Sequence, residues 1–477
     1  MNRPSLKLLL GVLAGVAALV GCATKPEPTR AEIRQPAGAL TNVAQLPGWK
    51  AGGAAGPIHD HWLATFADPQ LDALVAEAMT NNPDLRVAAV RVEQAGEYVE
   101  LARAALRPAV NLLGVGGFNM GGGDISSALQ GVSLGASWEP DLWGRIRYGR
   151  NAAQAIHASA QADFEFSRQS LAATVARTWF AATETALQLG LAVEMVQAAE
   201  DLVALAENRR QVGAGTEQEV ALARAKRLNL QDAARQVELA HTQTLRALEL
   251  LLGRYPAAEL EARPDLAPLP GPIPAGLPLE LLERRPDLVA AERRVAAAFN
   301  RVGEAKAARL PRIILNANVA AIQSDILQLK DDFSNPTGGA GAKLIAPLYQ
   351  GGALQTQVRI RTLEQREAAA EYARMAWRAL GDVENSLAAS QTLEERESLL
   401  RQAVADHERA LTLAQTSYRV GQGDQRTVRQ RQLDLSAAQL ALLRVQGEQL
   451  SQRVNLHLAL GGGFQPAAPM QASATRP

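Results

Sequence analysis

The chain has 477 residues, and its 49 basic side chains balance its 49 acidic ones, so the formal net charge is zero. This balance gives no support for a nucleic-acid partner, and an aromatic content of 4% is low for an enzyme with large cores. The single cysteine, Cys22, excludes an internal disulfide framework and any metal site with several cysteine ligands.

The N-terminal segment is typical of an exported protein. A basic start precedes an apolar run, Leu8 to Val20, that is short for a membrane helix, and we predict a signal peptide over 1–21. "LVGC" (19–22) resembles the bacterial lipobox, in which the cysteine carries a covalent lipid such as palmitate. Ala23 after Cys22 favours sorting to the outer membrane. The alternative is an ordinary signal peptide with an incidental cysteine. Beyond residue 21 no run of 18 apolar residues predicts a membrane-spanning helix.

Two later segments share one plan, which indicates an internal repeat. They are "NPDLRVAAVRVEQAGEYVELARAALRPAV" from Asn82 and "RPDLVAAERRVAAAFNRVGEAKAARLPRI" from Arg285. Each runs from the proline of "PDL" to a second proline 25 residues later, at Pro108 and at Pro311. Proline suits the first turn of a helix and stops the last one. Each segment therefore predicts one helix of about 25 residues.

The periodicity then changes from helix to strand. "QGVSLGASW" (130–138) and "RIILNANVA" (312–320) alternate apolar and small or polar residues, the pattern of strands with one apolar face. With weaker flanking strands they predict β-hairpins over 109–139 and 312–347. A pair of soluble hairpins is the alternative. Four strands cannot close a membrane barrel, so a membrane role requires strands from two chains (eight) or three (twelve).

Long helices follow each hairpin. No proline interrupts 144–211 or 353–419, and each stretch would make a helix about 100 Å long. A pair of glycines ends each helix, and the pairs are 208 residues apart (421 − 213). They are Gly213 and Gly215, then Gly421 and Gly423. Second helices are predicted over 216–252 and 424–460. The two shorter helices of each half, stacked end to end, would match one long helix lying antiparallel to them.

The combined pattern resembles the TolC-like outer membrane efflux family, and within it the lipoprotein branch of OprM and NodT type. The resemblance rests on "HWLATFADPQLDALVAEAMTNNPDLRVA" (61–88), "WEPDLWGRIR" (138–147), "LLGRYPAAEL" (251–260), "GLPLELLERRPDLVAAERRVAAA" (276–298), "VGEAKAARLP" (302–311) and "PLYQGG" (347–352). It implies a mainly α fold: an α-barrel tunnel joined to a 12-stranded β-barrel that a homotrimer shares. It also implies a periplasmic adaptor, an inner-membrane pump of the resistance-nodulation-division type, and outer-membrane lipid as partners, in a Gram-negative bacterium.

The resemblance divides the chain into six parts. They are a signal peptide (1–21), a lipidated N-terminal segment with an equatorial region (22–81), a first repeat (82–253), an equatorial linker (254–284), a second repeat (285–461) and a flexible tail (462–477). The implied function is an exit duct for small toxic compounds, as in multidrug resistance. Metal-ion or polypeptide export by the same duct is an alternative, and so is a lipid-anchored periplasmic coiled-coil scaffold, which predicts sustained heptads and no outward-facing apolar strands.

The resemblance also assigns candidate site residues. The glycine turns (Gly213, Gly215, Gly421 and Gly423) would be adaptor-docking tips, or else plain helix caps. The gate candidates around the second turn are Tyr418, Asp424, Arg426 and Arg429. The alternative for these four is a solvated charged face. Relatives continue with an apolar stretch where this chain has "TVRQRQLDL" (427–435), and they carry a β-branched residue or Leu where it has Pro140.

No catalytic constellation or metal site is predicted. P-loop and zinc-protease motifs are absent from the sequence. "HDHW", with His59, Asp60 and His61, cannot direct three ligands at one ion without irregular backbone. We therefore expect no enzyme activity and no cofactor other than the lipid on Cys22.

Overall fold

The computed structural model describes residues 25–26, 29, 48–52, 56, 58, 60–115, 129–276, 278–324 and 337–464. Several predicted features lie outside the described residues: the signal peptide, Cys22, His59, the tips of both hairpins (116–128 and 325–336) and the tail from 465 onwards. The helices are α1 (Pro69–Asn81), α2 (Pro83–Ala104), α3 (Arg145–Gln211), α4 (Glu217–Leu251), α5 (Pro278–Arg284), α6 (Pro286–Ala307), α7 (Ala353–Arg419) and α8 (Gln425–Ala459). The strands are β1 (Ala109–Val115), β2 (Leu129–Trp138), β3 (Arg312–Ser324) and β4 (Thr337–Ile345).

The helices repeat in length. The long helices α3 and α7 have 67 residues each, and α4 and α8 have 35 each, which confirms the uninterrupted helices that the sequence predicts. Helices α2 and α6 have 22 residues each, against the 25 that the proline spacing predicts. After Ala104 and Ala307 the chain leaves the helix through turns such as Arg107 N–H to Ala104 O, 3.0 Å. The reason is that a residue before proline disfavours helical geometry, so the helix ends ahead of Pro108 and Pro311.

Of the described residues, those within 1–41, 90–162 and 289–374 form one compact unit, which contains the sheet. Its strands are antiparallel in the order β1-β2-β3-β4, so β1 and β4 form the edges. Both hairpins are confirmed, and β2 pairs with β3, for example Leu134 with Val319. This pairing joins the two sequence repeats into one sheet. Ala155, Ala296 and Ala297 form a small buried cluster in the same unit.

The described residues within 42–89, 163–288 and 375–477 form the second unit, which holds the large hydrophobic core. A short 3₁₀ helix, Trp62–Phe66, and α1 supply Trp62, Phe66 and Leu71, each at most 2% exposed. They pack against Trp179 of α3 and Leu248 of α4. Helix α1 begins at Asp68, whose carboxylate accepts the backbone N–H groups of Gln70 and Leu71 and the indole N–H of Trp179 at 2.9 Å. Several of the few aromatic residues of the chain are therefore gathered in this core.

Within this second unit α3 contacts both α4 and α8, and α8 also contacts α4 and α7. Contacts between α3 and α4 run antiparallel: Glu207 with Arg224, Glu200 with Gln231, Thr185 with His241. Helices α3 and α8 are also antiparallel, with contacts between Asp201 and Arg429 and between Arg177 and Asn455. Helices α7 and α8 are antiparallel as well, with contacts between Arg396 and Glu448 and between Ser386 and Gln452. Among the described residues, no helix has both the length and the apolar character required to cross a membrane.

The short helices of each half meet end to end, as predicted. The Asn82 side chain, just before α2, donates to the carbonyl of Leu251 at the end of α4 (3.0 Å). Arg285, just before α6, donates to the carbonyl of Ala459 at the end of α8 (3.3 Å). The two accepting residues are 208 apart (459 − 251). Different side chains thus make the same joint in the two repeats.

Candidate functional site at the glycine turns

The first glycine of each pair ends a long helix in the left-handed conformation. Gly213 has φ 73° and Gly421 has φ 77°. After α3, Gly213 N–H donates to Arg210 O and Ala214 N–H to Arg209 O, at 3.0 and 2.8 Å. Gly421 and the residue after it make the equivalent bonds after α7, at 3.1 and 2.8 Å. These are Schellman caps, which glycine favours because it has no Cβ to strain at positive φ.

The second glycine of each pair has a different role. A Cβ on Gly215 would lie 3.0 Å from Arg209 Cβ and 3.2 Å from its carbonyl carbon. A Cβ on Gly423 would lie 2.9 Å from Tyr418 N. Each second glycine therefore lets the chain fold back onto the last turn of the long helix. By contrast, a Cβ on Gly213 or Gly421 would meet no atom within 4 Å, so the first glycines are required for conformation alone.

The helices that follow begin with capping side chains. Thr216 accepts Glu219 N–H, and the Glu219 carboxylate accepts Thr216 N–H, which is a capping box at the start of α4. Asp424 caps α8 by accepting Arg426 N–H at 3.0 Å. Asp424, a candidate gate residue, therefore also serves as the N-cap of α8. Both turns therefore consist of a glycine cap at the end of the long helix and a side-chain cap at the start of the next helix, although the capping side chains differ.

The arginines after the second turn contact residues of the first repeat. Arg426 lies 3.5 Å from Glu219 and 3.6 Å from Asp424. Arg429 lies 2.9 Å from Asp201 of α3. The structure therefore places three of the four gate candidates in ion pairs: Asp424 and Arg426 form one cluster with Glu219, and Arg429 forms a separate pair with Asp201. Their side chains are about one-third to one-half exposed, and such pairs are weak individually and reversible.

Tyr418 takes no part in these ion pairs. It lies on the last turn of α7, it is 47% exposed, and its carbonyl accepts Gly421 N–H. Beside the glycines, Val212 is 77% exposed and Val420 is 62% exposed. Apolar side chains on a glycine-rich turn make a surface that another helix can approach closely.

Sequence reasoning did not identify the acidic partners, Asp201 and Glu219. The "T-E-Q-E" stretch at 216–219 is a capping-box signal and could have identified Glu219. Asp201 lies twelve residues before the first glycine, and only the antiparallel register of α3 with α8 brings it to Arg429.

A half-buried carboxyl lies further along the same helices. Glu184 of α3 is half-buried, and desolvation together with the nearby Glu448 carboxylate raises its pKa to about 7, against the opposing effects of Arg444 and a hydrogen bond from Gln188. A Cβ on Gly447 of α8 would overlap Glu184 Oε2, so this glycine leaves the space that the carboxyl fills. Glu397 of α7 shows the opposite shift: burial alone would raise its pKa, but hydrogen bonds from Gln446, Gln449 and Arg401 lower it.

The "HDHW" stretch has a structural contact. Asp60 accepts the backbone N–H of Gly463 at 2.7 Å and also pairs with Arg284. Over the described part of the chain, which omits His59, no group of three or more His, Cys, Asp or Glu side chains could hold a metal ion. The pair at Asp60 ties the beginning of the second unit to the end of α8.

Comparison with known proteins gives one answer. The profile of the outer membrane efflux protein family matches residues 74–254 and again 277–462. The chain is 32% identical, over 95% of its own length and 97% of the relative's, to the pyoverdine export outer membrane protein OpmQ of Pseudomonas putida. It is 28% identical to the cation efflux system protein CusC of Escherichia coli, over 94% of this chain and 97% of that one.

Solved structures agree. The outer-membrane channel OprN superposes with a TM-score of 0.76 at 25% identity, covering 87% of this chain and 95% of that one. CusC superposes with a TM-score of 0.73 at 25% identity, covering 88% and 97%. These similarities extend through both repeats and the sheet. The chain therefore belongs to the outer membrane efflux protein family, whose members are channels and not enzymes, and it is an efflux channel of the outer membrane of a Gram-negative bacterium that extends into the periplasm.

Proposed function

We propose that this channel is a homotrimeric exit duct that passes small toxic compounds from a periplasmic adaptor and an inner-membrane pump of the resistance-nodulation-division type to the exterior. The observation that carries the proposal is the four-stranded sheet with one apolar face and two edge strands, β1 and β4. Four strands are too few for a membrane barrel, and edges invite pairing with another copy. Three copies give twelve strands.

Exposed apolar side chains on α4 and α7 support the same assembly. On α4, Leu228, Leu239 and Leu250 are each more than half exposed and recur every eleven residues, about three helical turns, so they share one face. On α7, Leu399 and Leu413 are 67% and 63% exposed. Exposed apolar side chains of this kind on both helices fit contact with neighbouring copies.

We infer that the two glycine turns dock the adaptor. Exposed Val212 and Val420, beside glycines that leave the backbone accessible, offer matching surfaces in both repeats. Because Cys22 is the single cysteine of the chain and would be lipidated, an introduced cysteine would be the one free thiol available for labelling. Val212→Cys and Val420→Cys, each carrying a photoreactive maleimide, should cross-link in cells to a periplasmic adaptor identified by mass spectrometry. Arg235→Cys, an exposed position in the middle of α4, is the control.

Cross-linking to the adaptor from both turns and not from residue 235 is the expected result. Equal yields at all three positions, or none, would contradict docking at the turns. In the same framework, the pairs Arg429–Asp201 and Arg426–Glu219 act as gate constraints, because they tie neighbouring helices close to the turns and can separate at small cost.

We also propose that Cys22 carries a covalent lipid and that the protein holds no other cofactor. Cys22 lies outside the described residues, but Lys25, three residues later, donates its backbone N–H to Tyr148 Oη at 2.7 Å. Tyr148 is in the first turns of α3, soon after β2 ends. Three residues of chain span at most about 11 Å, so this contact supports an anchor near the end of the strands. Mass spectrometry of the N-terminal peptide tests it: an unmodified thiol would contradict it.

The cargo is a separate question, because relatives with the same fold are named for different cargo. One is a pyoverdine export protein, one belongs to a toluene efflux pump and one to a cation efflux system. We propose organic toxic compounds for this chain, and no catalytic step. Susceptibility of a deletion strain distinguishes the options: sensitivity to organic compounds is expected, whereas sensitivity to metal ions alone or loss of a secreted polypeptide favours the other kinds of cargo. A deletion with no transport phenotype favours a scaffold.

A further inference from the structure

The strands carry their charge on one face and at one end. In the described parts of β1 to β4, two side chains are charged, Arg312 and Lys343, and both are cationic. Arg312 pairs with Ile345 and Lys343 pairs with Ile314, so the two cations lie on the same face, one diagonal step apart. Both residues are exposed.

This face is the polar one. Arg312 and Ile314 are followed on it by Asn316 and Asn318, and Asn316 pairs with Ser137 of β2. The opposite face carries exposed apolar side chains, among them Leu134 (51%), Val319 (53%) and Leu344 (69%). In a membrane-spanning sheet the apolar face contacts lipid and the polar face lines the lumen. Arg312 and Lys343 therefore belong to the lumen wall.

Neighbouring carboxylates do not cancel this charge. Glu139, directly after β2, lies 3.0 Å from Arg145 and 4.0 Å from Arg312, so two guanidinium groups share it. Asp141 is bound to Arg147 at 3.3 Å and accepts the backbone N–H groups of Ile146 and Arg147. Lys343 adds a further cation beside Arg312. An excess of positive charge is left at this end of the sheet.

We propose that Arg312 and Lys343 form an anion-binding step in the duct, which takes carboxylate, phosphate or sulfonate groups of departing compounds and small inorganic anions. The inference rests on the proposed duct and identifies a charge preference that the duct imposes. Fixed cations act over a Debye length of about 8 to 10 Å, and a charged constriction raises the local concentration of ions of opposite sign. In a trimer the step is present three times around one lumen.

The test is the reversal potential of the reconstituted channel in a planar bilayer under a potassium chloride gradient. The variants are Lys343→Gln and the double variant Arg312→Gln with Lys343→Gln. Lys343→Arg keeps the charge, and Arg235→Gln removes a cation from the helical part. We expect the chloride-to-potassium permeability ratio to fall at least about threefold in the double variant, by less in Lys343→Gln, and not at all in the two controls.

The single variant keeps the test decisive if loss of Arg312 disturbs folding, since Lys343→Gln leaves the contacts of Glu139 in place. An unchanged ratio in Lys343→Gln channels of normal conductance would overturn the anion-binding step and leave the duct intact. A wild-type protein that does not conduct would contradict the duct itself, and this inference with it. A fall of the same size in Arg235→Gln would also overturn the proposal, because the effect would then be one of net charge.

Discussion

Replacement of Glu184 by glutamine should stabilise the protein above neutral pH and have little effect at pH 5. In the folded chain the pKa of Glu184 is raised from its ordinary 4.5 to about 7, because burial and the Glu448 carboxylate disfavour its ionised form. A group with a raised folded pKa binds its proton more tightly when folded. The free energy of unfolding therefore falls as pH rises from about 4.5 to about 7, and it is constant above that range. A glutamine side chain carries no charge at any of these pH values, so the stability of the variant does not fall over this pH range through ionisation at position 184.

The size of the effect follows from the shift. A difference of 2.5 pKa units (7 − 4.5) corresponds to at most about 3.4 kcal/mol. Since Glu184 is only half-buried in the groove it shares with Arg396 and Glu448, solvent screening reduces this to about 1 to 2 kcal/mol. The melting temperatures of wild type and Glu184→Gln should therefore converge near pH 5 and separate by a few degrees at pH 8.

Intrinsic tryptophan fluorescence of the detergent-solubilised protein, heated at several pH values, measures this difference. Glu397→Gln is the matched control, because burial of Glu397 is outweighed by hydrogen bonds from Gln446 and Gln449 and by contact with Arg401, which lower its pKa. Its ionisation contributes stability above about pH 4.5 that is lost only in more acidic solution. Glu397→Gln should therefore destabilise by a constant amount from pH 5 to 8. A pH-independent difference for Glu184→Gln as well would refute the reasoning.

Two glycines and the arginines after the second turn give three further predictions. Gly447→Ala should lower the free energy of unfolding by about 1 to 3 kcal/mol, because the new Cβ overlaps Glu184 Oε2 and this outweighs the higher helix propensity of alanine. In a Glu184→Ala background the same substitution should not lower the melting temperature. Gly213→Ala should cost about 1 to 2 kcal/mol through positive φ alone, so Gly213→Asn, which tolerates that φ better, should recover part of the melting temperature. Arg429→Ala should slightly raise channel conductance and cellular sensitivity to a large antibiotic, since one partly exposed ion pair contributes about 0.2 to 1 kcal/mol. Adding Arg426→Ala should raise both further. Unchanged conductance in the double variant would exclude these pairs as gate constraints.

Much of the fold is local in origin and could be predicted. The change from a 3.6-residue to a 2-residue period marks the helices and strands, and the prolines at 108 and 311 end α2 and α6 within a turn. The equal spacing of the glycine pairs identifies the duplicated turns, because a Schellman cap needs positive φ at one defined position. The resemblance then supplied the family, which the comparisons confirm.

What could not be predicted depends on distant contacts. Pairing of β2 with β3 joins segments almost two hundred residues apart, and neither segment encodes the register alone. The contact of Arg429 with Asp201 follows only once α8 lies antiparallel to α3. The core under Trp62 assembles from four separate stretches of chain. The separate roles of Gly213 and Gly215 likewise appear only when the returning chain is seen against Arg209.

The central claim is that three copies of this chain form one water-filled duct. Reconstitution of the mature protein in a planar bilayer tests it most directly, with the oligomeric state of the same preparation determined by native mass spectrometry. A homotrimeric duct should give discrete conductance steps from a preparation of heat-resistant trimers. Monomers that never insert, or trimers that insert without conducting, would contradict it.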